Sequence, residues 1–371
     1  MHDAAREGVP DEIAGHLTMG ASVNERDRLG ATPLMLAAAA NPSPDVVHAF
    51  VQAGADVDAV DRDGTTALMR AARANPVPAV TEALLEVGAD ADGQDVHGYT
   101  ALLWAATKRA PDGVVGALAT ATFAIDAVDH EGRTALCLVA AYALRSTVEI
   151  LLAAGADPDA RDEDGVGPLA QAAGLNPSAE AVAALLEAGA EVDAVGNGVT
   201  PLLAAAACER APGESYDAVR RLLVAGAGAS VRSDRGHRPL HGAVLGSDPG
   251  GVIRLLTNAG ARLDVVDDRG LTPWWLALEQ DAGRAVLVAL LNAGQDPDER
   301  SLDGRTALHV AAGRCDAALV RALLRAGADP GALDALGKTP AQIAASRPGG
   351  LEEVLALLRE PGRALRDRPF G

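Results

Sequence analysis

Aromatic side chains make up only 2% of the 371 residues, three each of Phe, Trp and Tyr. The core must therefore be filled by aliphatic side chains and alanine, of which the 49% hydrophobic content supplies enough for a folded chain. Cys137, Cys208 and Cys315 are isolated and odd in number, with no Cys-x-x-Cys pair and no His at ligand spacing. This excludes a disulfide framework and a zinc site, and it points to a reducing compartment. Lysine occurs only at 108 and 338, and no block of Lys and Arg offsets the 51 acidic residues that leave a net charge of −19. Binding to nucleic acid or anionic lipid is driven by clustered cations releasing counterions, so neither is expected as a partner. No stretch of about eighteen apolar residues appears, and the start lacks the cationic and apolar segments of a secretion signal. The expected location is cytoplasmic, with leaderless export leaving no readable trace. Scarce Lys with abundant Ala, Gly, Arg and Pro fits a GC-rich, bacterial coding sequence. Avoidance of ubiquitin tagging in a host cell is the sharper alternative.

What is present is a repeat. The block Thr32-Pro-Leu-Met-Leu-Ala-Ala returns with starts at 66, 100, 134, 167, 200, 238, 272, 306 and 339, a spacing of 33 or 34 residues broken once by 38. A period of that length marks a stacked array. The Thr hydroxyl can accept from a free amide of a first helical turn, and Pro at the next position tolerates a first helical site. Paired Ala residues leave one helix face without bulk, so neighbouring units can approach closely. A second apolar run, such as Val320, Leu323 and Leu324, precedes a Gly suited to closing a helix in the left-handed region. The Asp-x-x-Gly that follows is hairpin chemistry. Each unit therefore reads as hairpin, helix, turn, helix.

This pattern resembles the ankyrin repeat over essentially the whole chain, most closely at Asp303-Gly-Arg-Thr-Ala-Leu-His309-Val-Ala-Ala-Gly through Leu323-Leu-Arg-Ala-Gly-Ala-Asp329. The resemblance implies a mainly α solenoid of about eleven stacked helix-turn-helix units joined by β-hairpin loops. With helix layers about 8–10 Å apart, such a stack would span roughly 100 Å. The expected organisation is one array: a partial N-terminal repeat at 1–29, central repeats at 30–338, a C-terminal capping repeat at 339–362 and a loose tail at 363–371. Met1-His2 aligns with Leu308-His309, which places the chain start inside a repeat and suggests either an upstream start or a fragment of a longer protein.

Several units depart from the pattern. Asn41-Pro42, Asn75-Pro76 and Asn176-Pro177 fill a turn where the family usually has Gly-His, and read as rigid, pre-set turns. The 38-residue unit carries extra residues between Cys208 and Tyr216, read as tolerated drift. Thr122-Phe123 replaces Gly-Ala, and Gly113 and Gly116 sit inside a helix, so a soft joint is expected near 110–125. Arg238 replaces a capping Thr.

No enzyme motif survives scrutiny. Gly165-Val-Gly167-Pro-Leu-Ala170 matches a dinucleotide fingerprint in form, but Pro168 removes an amide that a pyrophosphate would need. Asp162-Glu-Asp164-Gly165 lacks the flanking ligands of a calcium loop. His241 and His309 occupy the family position that ties down the adjoining loop. Trp104 and Trp274 are expected in the core, and Trp275 sits at the His position. The reading is a monomeric, non-catalytic scaffold or adaptor without cofactor or metal, binding a partner protein on its hairpin tips and inner helices. Contact candidates are Arg62, His97, Tyr99, His130, Arg133, Arg235, His237, Arg269, Leu271, Trp275 and Arg305, although the Arg residues could equally pair with neighbouring tip acids. The alternatives are a secreted bacterial effector that captures a host protein, or a regulatory segment of a larger enzyme.

Overall fold

Threonine hydroxyls start the helices. Thr32, Thr66, Thr100 and Thr134 each accept from the amide three residues on, with Oγ1 to N distances of 3.2–3.3 Å. Glycine ends the partners: Gly54 has φ +88°, its amide donates to Val51, and Ala55 donates to Phe50, the double closure that spends the last free carbonyls of Pro44–Gln52. The computed structural model describes residues 1–176, 178–208, 213–346 and 352–360, and in them these signals produce 22 helices. The extra turn residues 209–212, the segment 347–351 and the tail 363–371 lie outside the described residues.

The chain divides into two units, Met1–Ala205 with Val224–Ala227 and Ala206–Leu223 with Gly228–Gly371. In the N-terminal unit the first helix of each repeat packs on the first helix of the next: His2–Glu7 on Pro33–Ala40, then Ala67–Ala74, Ala101–Lys108, Ala135–Ala140 and Pro168–Leu175. The second helices stack the same way in a parallel row. Close approach is possible because Ala37, Ala38, Ala71, Ala72, Ala105 and Ala106 are buried between them. The C-terminal unit repeats the arrangement, with Pro239–Leu245 on Pro273–Glu279 and Ala307–Gly313 on Pro340–Ala345. Its largest buried side chain is Trp274, as the register expected.

The loops are hairpin-like turns rather than ladders. Among the described residues only two isolated bridges form, Val128 with Thr134 and Gly196 with Val199. A carboxylate organises most tips instead: Asp61 accepts from the amides of Asp63 and Thr65, both at 2.9 Å, and Asp95 and Asp129 repeat the geometry. A tip donates to the one before it, Arg62 to Leu29 and Val96 to Asp63, so the tips form a bonded row without strands. Ser233 and Ser301 replace the Asp in two units and accept the matching amide.

Two departures acquire reasons. The buried Asn75 donates from Nδ2 to Ala38 and Asn41 at 2.9 and 2.8 Å and accepts from Val77. Asn41 and Asn176 do the same, so these turns staple one repeat to the one before as well as bending the chain. At the expected soft joint, the Asp92 carboxylate receives Thr122 Oγ1 and the amides of Phe123 and Ala124, replacing the missing Gly closure. Gly113 has a packing reason too, since a Cβ there would lie 2.7 Å from Pro78.

Candidate functional site

The residue four positions after the helix-starting Thr lies one turn into the first helix of each repeat. In the third repeat Thr100 starts the helix, so Trp104 falls there. It is half-buried rather than fully in the core as expected, and its indole Nε1 donates to Asp95 Oδ2 at 2.9 Å. The Tyr99 ring lies 4.7 Å from it, tilted by 32°. Arg73 covers the same indole at 4.5 Å and Lys108 approaches it at 5.7 Å. Arg109 lies 4.4 Å over the Tyr142 ring, and the Tyr142 hydroxyl donates to the Ala106 carbonyl. Burial pushes the Tyr142 phenol up to about 12.

Tyr99 and Arg133 converge on one carboxylate. Tyr99 donates to Asp129 Oδ2 at 3.2 Å, and Arg133 donates to the same oxygen from Nε and Nη2 at 3.0 and 2.8 Å. Burial opposes ionisation of Asp129, but the Arg133 guanidinium and the tip amides outweigh it and hold the carboxyl below its ordinary range. Burial and the neighbouring Asp129 charge push the Tyr99 phenol upward. The surface is thus neutralised at the tip and keeps its hydrogen-bonding edges fixed. His97 and His130 stand exposed beside it, ring centroids 6.4 Å apart, and Arg62 is exposed one tip earlier with no ion pair among the described residues.

The C-terminal unit holds the other candidates, and most are spent on neighbours. Arg269 bonds Asp267 and Glu279, and Arg305 bonds Asp303. His237 stacks on His241 at 5.6 Å with Nε2 3.6 Å from Asp267. His241 is buried, accepts the Arg238 amide at Nδ1 and faces the Leu271 carbonyl through Nε2 at 3.1 Å. His309 ties down its loop in the same manner, through Lys338. Leu271 and Trp275 are half-buried, and Arg235 is exposed. No group of three or more metal-ligating side chains occurs among the described residues.

Sequence reasoning named Tyr99, His97, His130 and Arg133 but missed Arg73, Lys108, Arg109 and Tyr142. The available signal was register: aligned by the capping Thr, Arg73 and Lys108 both fall in the last turn of an inner helix.

Stacked helical hairpins with a bonded row of tips define a repeat protein. The family model for ankyrin repeats, in three copies, matches residues 1–95, 34–122, 75–162 and 281–366. The chain belongs to the ankyrin-repeat family. Over 106 residues, 28% of the chain, it is 37% identical to neurogenic locus notch homolog protein 1 of Danio rerio and likewise to that of Homo sapiens. Over 96 residues it is 36% identical to neurogenic locus notch homolog protein 2 of Homo sapiens. The chain spans about 4% of the length of these relatives.

Proposed function

We propose that this protein is a non-catalytic scaffold or adaptor that recognises a partner protein, with its principal contact surface on the tips and inner helices around Tyr99 and Trp104. Ankyrin repeats serve protein–protein interaction, and the observation that carries the reading to this surface is the half-buried Tyr99–Trp104 pair. Both rings are fixed by buried carboxylates and flanked by exposed cations. Rigid aromatic anchors with fixed polar edges contribute large contact area at small entropic cost, the profile of an interface hot spot. A partner needs about 800 Å² on each side, which a few repeats supply. Free Cys137 and Cys208, buried and unbridged, support residence in a reducing compartment. The protein acts there as a monomer, and its composition supports a bacterial source.

The test is affinity capture from cells of the source organism with the full chain, comparing Tyr99→Ala and Trp104→Ala with Phe123→Ser, whose side chain is 99% exposed and makes no ring contact with either aromatic. Capture should fall about tenfold with either aromatic variant and stay unchanged with the control. Equal capture by all variants would remove this face from consideration.

A further inference from the structure

Charge is distributed unevenly in this acidic chain. The inner helices Pro33–Ala40, Ala67–Ala74, Ala101–Lys108 and Ala135–Ala140 contain no Asp or Glu. The nearby carboxylates are committed. Asp61 pairs with Arg70 at 2.6 Å, Asp95 holds Trp104, Asp129 holds Tyr99 and Arg133, and Glu131 pairs with Arg133 at 2.7 Å. Three exposed cations, Arg73 and Lys108 in the last turns of these helices and Arg109 in the turn that follows, nevertheless have no ion pair among the described residues, although acidic side chains outnumber basic ones by 51 to 32. They rest on rings instead, two on Trp104 and one on Tyr142.

The helix dipole accounts for cations in the last turn of an inner helix. It does not account for the aromatic floor beneath them, which keeps the guanidinium and ammonium groups in place while leaving their outer N–H donors free. The strip therefore offers charged donors above a hydrophobic surface. Its complement is a chain carrying carboxylates beside apolar side chains. Exposed tip acids such as Asp63 bound the strip, so a continuous phosphate backbone would be repelled beyond a few units, whereas a short acidic segment fits between them.

We propose that the inner face formed by Arg73, Trp104, Lys108, Arg109 and Tyr142 binds an acidic peptide segment, whose carboxylates pair with the three cations while an apolar side chain lies against Trp104. This rests on the recognition surface proposed above and assigns its partner's chemistry.

The experiment uses the full chain and a fluorescein-labelled peptide of three Gly-Glu-Asp-Leu repeats, followed by anisotropy at low salt, with a Gly-Gln-Asn-Leu peptide and a thymidine 12-mer as comparison probes. The acidic peptide should bind, and the neutral peptide should not. Affinity should fall about threefold for Arg73→Gln or Lys108→Gln and about twentyfold for the triple variant with Arg109→Gln, with circular dichroism unchanged. Raising the salt towards 0.5 M should erase the difference. Absent binding, equal binding by the triple variant, or equally tight binding of the oligonucleotide would overturn the proposal. Because partner capture is read separately with Tyr99→Ala and Trp104→Ala, loss of the peptide signal with capture still dependent on those rings removes only the acidic class. Capture indifferent to them removes the surface itself.

Discussion

The turn between paired helices is built differently in the two units. In the N-terminal unit Asn41, Asn75 and Asn176 occupy it, each buried and bonded to two carbonyls of the preceding repeat. The matching positions of the C-terminal unit hold Ser247, Asp281 and Cys315, of which Asp281 and Cys315 take the left-handed conformation at φ +51° and +58°. There Ser247 donates from its amide and from Oγ to the Cys208 carbonyl at 3.1 and 3.3 Å, and Arg314 donates to the Leu278 carbonyl at 2.7 Å and to Asp281 at 2.8 Å from a partly exposed position. The lesson is that the same connection can be made by an extended residue whose buried amide is bonded to the preceding repeat, or by a left-handed residue at a cost in torsional strain. In the N-terminal unit Arg109 and Ala143 depart from the Asn pattern; Arg109 is left-handed at φ +58°, and it is also one of the three unpaired cations of the recognition strip. Staple and binding group compete for the same position.

Replacing the staple should give the largest effect. Asn75→Ala leaves two buried carbonyls and the Val77 amide without their partner and should cost about 2–3 kcal/mol in urea denaturation, against about 1 kcal/mol or less for Arg314→Ala. Equal costs would dissolve the distinction between the units. A smaller effect of opposite sign is expected at the strained turns. Cys315→Gly should raise stability by about 0.5–1 kcal/mol, because glycine adopts positive φ without a Cβ clash, whereas Asn75→Gly should destabilise.

The pH response sharpens the comparison further. Burial holds the His241 imidazolium below its ordinary value of 6.5. The unfolded chain therefore takes up that proton first. Its contribution to the C-terminal unit is complete above pH 6.5 and is lost as the pH falls below it. Asp129 is shifted the other way relative to its charged form. Burial opposes ionisation there, yet Arg133 and the backbone amides depress the carboxyl below 3.8, so its contribution to the N-terminal unit persists above that pH and is lost only as acid titrates the folded carboxylate. Urea midpoints followed by hydrogen exchange from pH 7.5 to 3 should show the C-terminal unit softening first, and His241→Gln should abolish that early step. Simultaneous softening of both units would contradict it.

Much of the fold was legible because each signal acts over a few residues. A Thr three positions before an amide, a Gly after an apolar run, and an Asp two and four positions before tip amides all form bonds within their own segment. His309 could be placed on its loop by register alone. Trp104 departs from the expected core position because this column varies from Leu36, buried, to Trp104, half-buried, and the Asp95 carboxylate that receives the indole decides which way it turns. Asn41 and Asn75 looked like turn residues because their carbonyl partners lie 33 to 37 residues upstream.

The sequence alone determined the period, the helix ends, the small-residue faces that stack and the tip carboxylates, since these follow from backbone torsion, local hydrogen bonding and side-chain volume. Only the tertiary structure decided which polar groups spend their bonding within the stack and which keep it for a partner. Arg133, Arg269 and Arg305 found carboxylates, while Arg73, Lys108 and Arg109 found aromatic rings. That choice depends on neighbours brought from the adjoining repeat, whose distance in space cannot be read from distance along the chain.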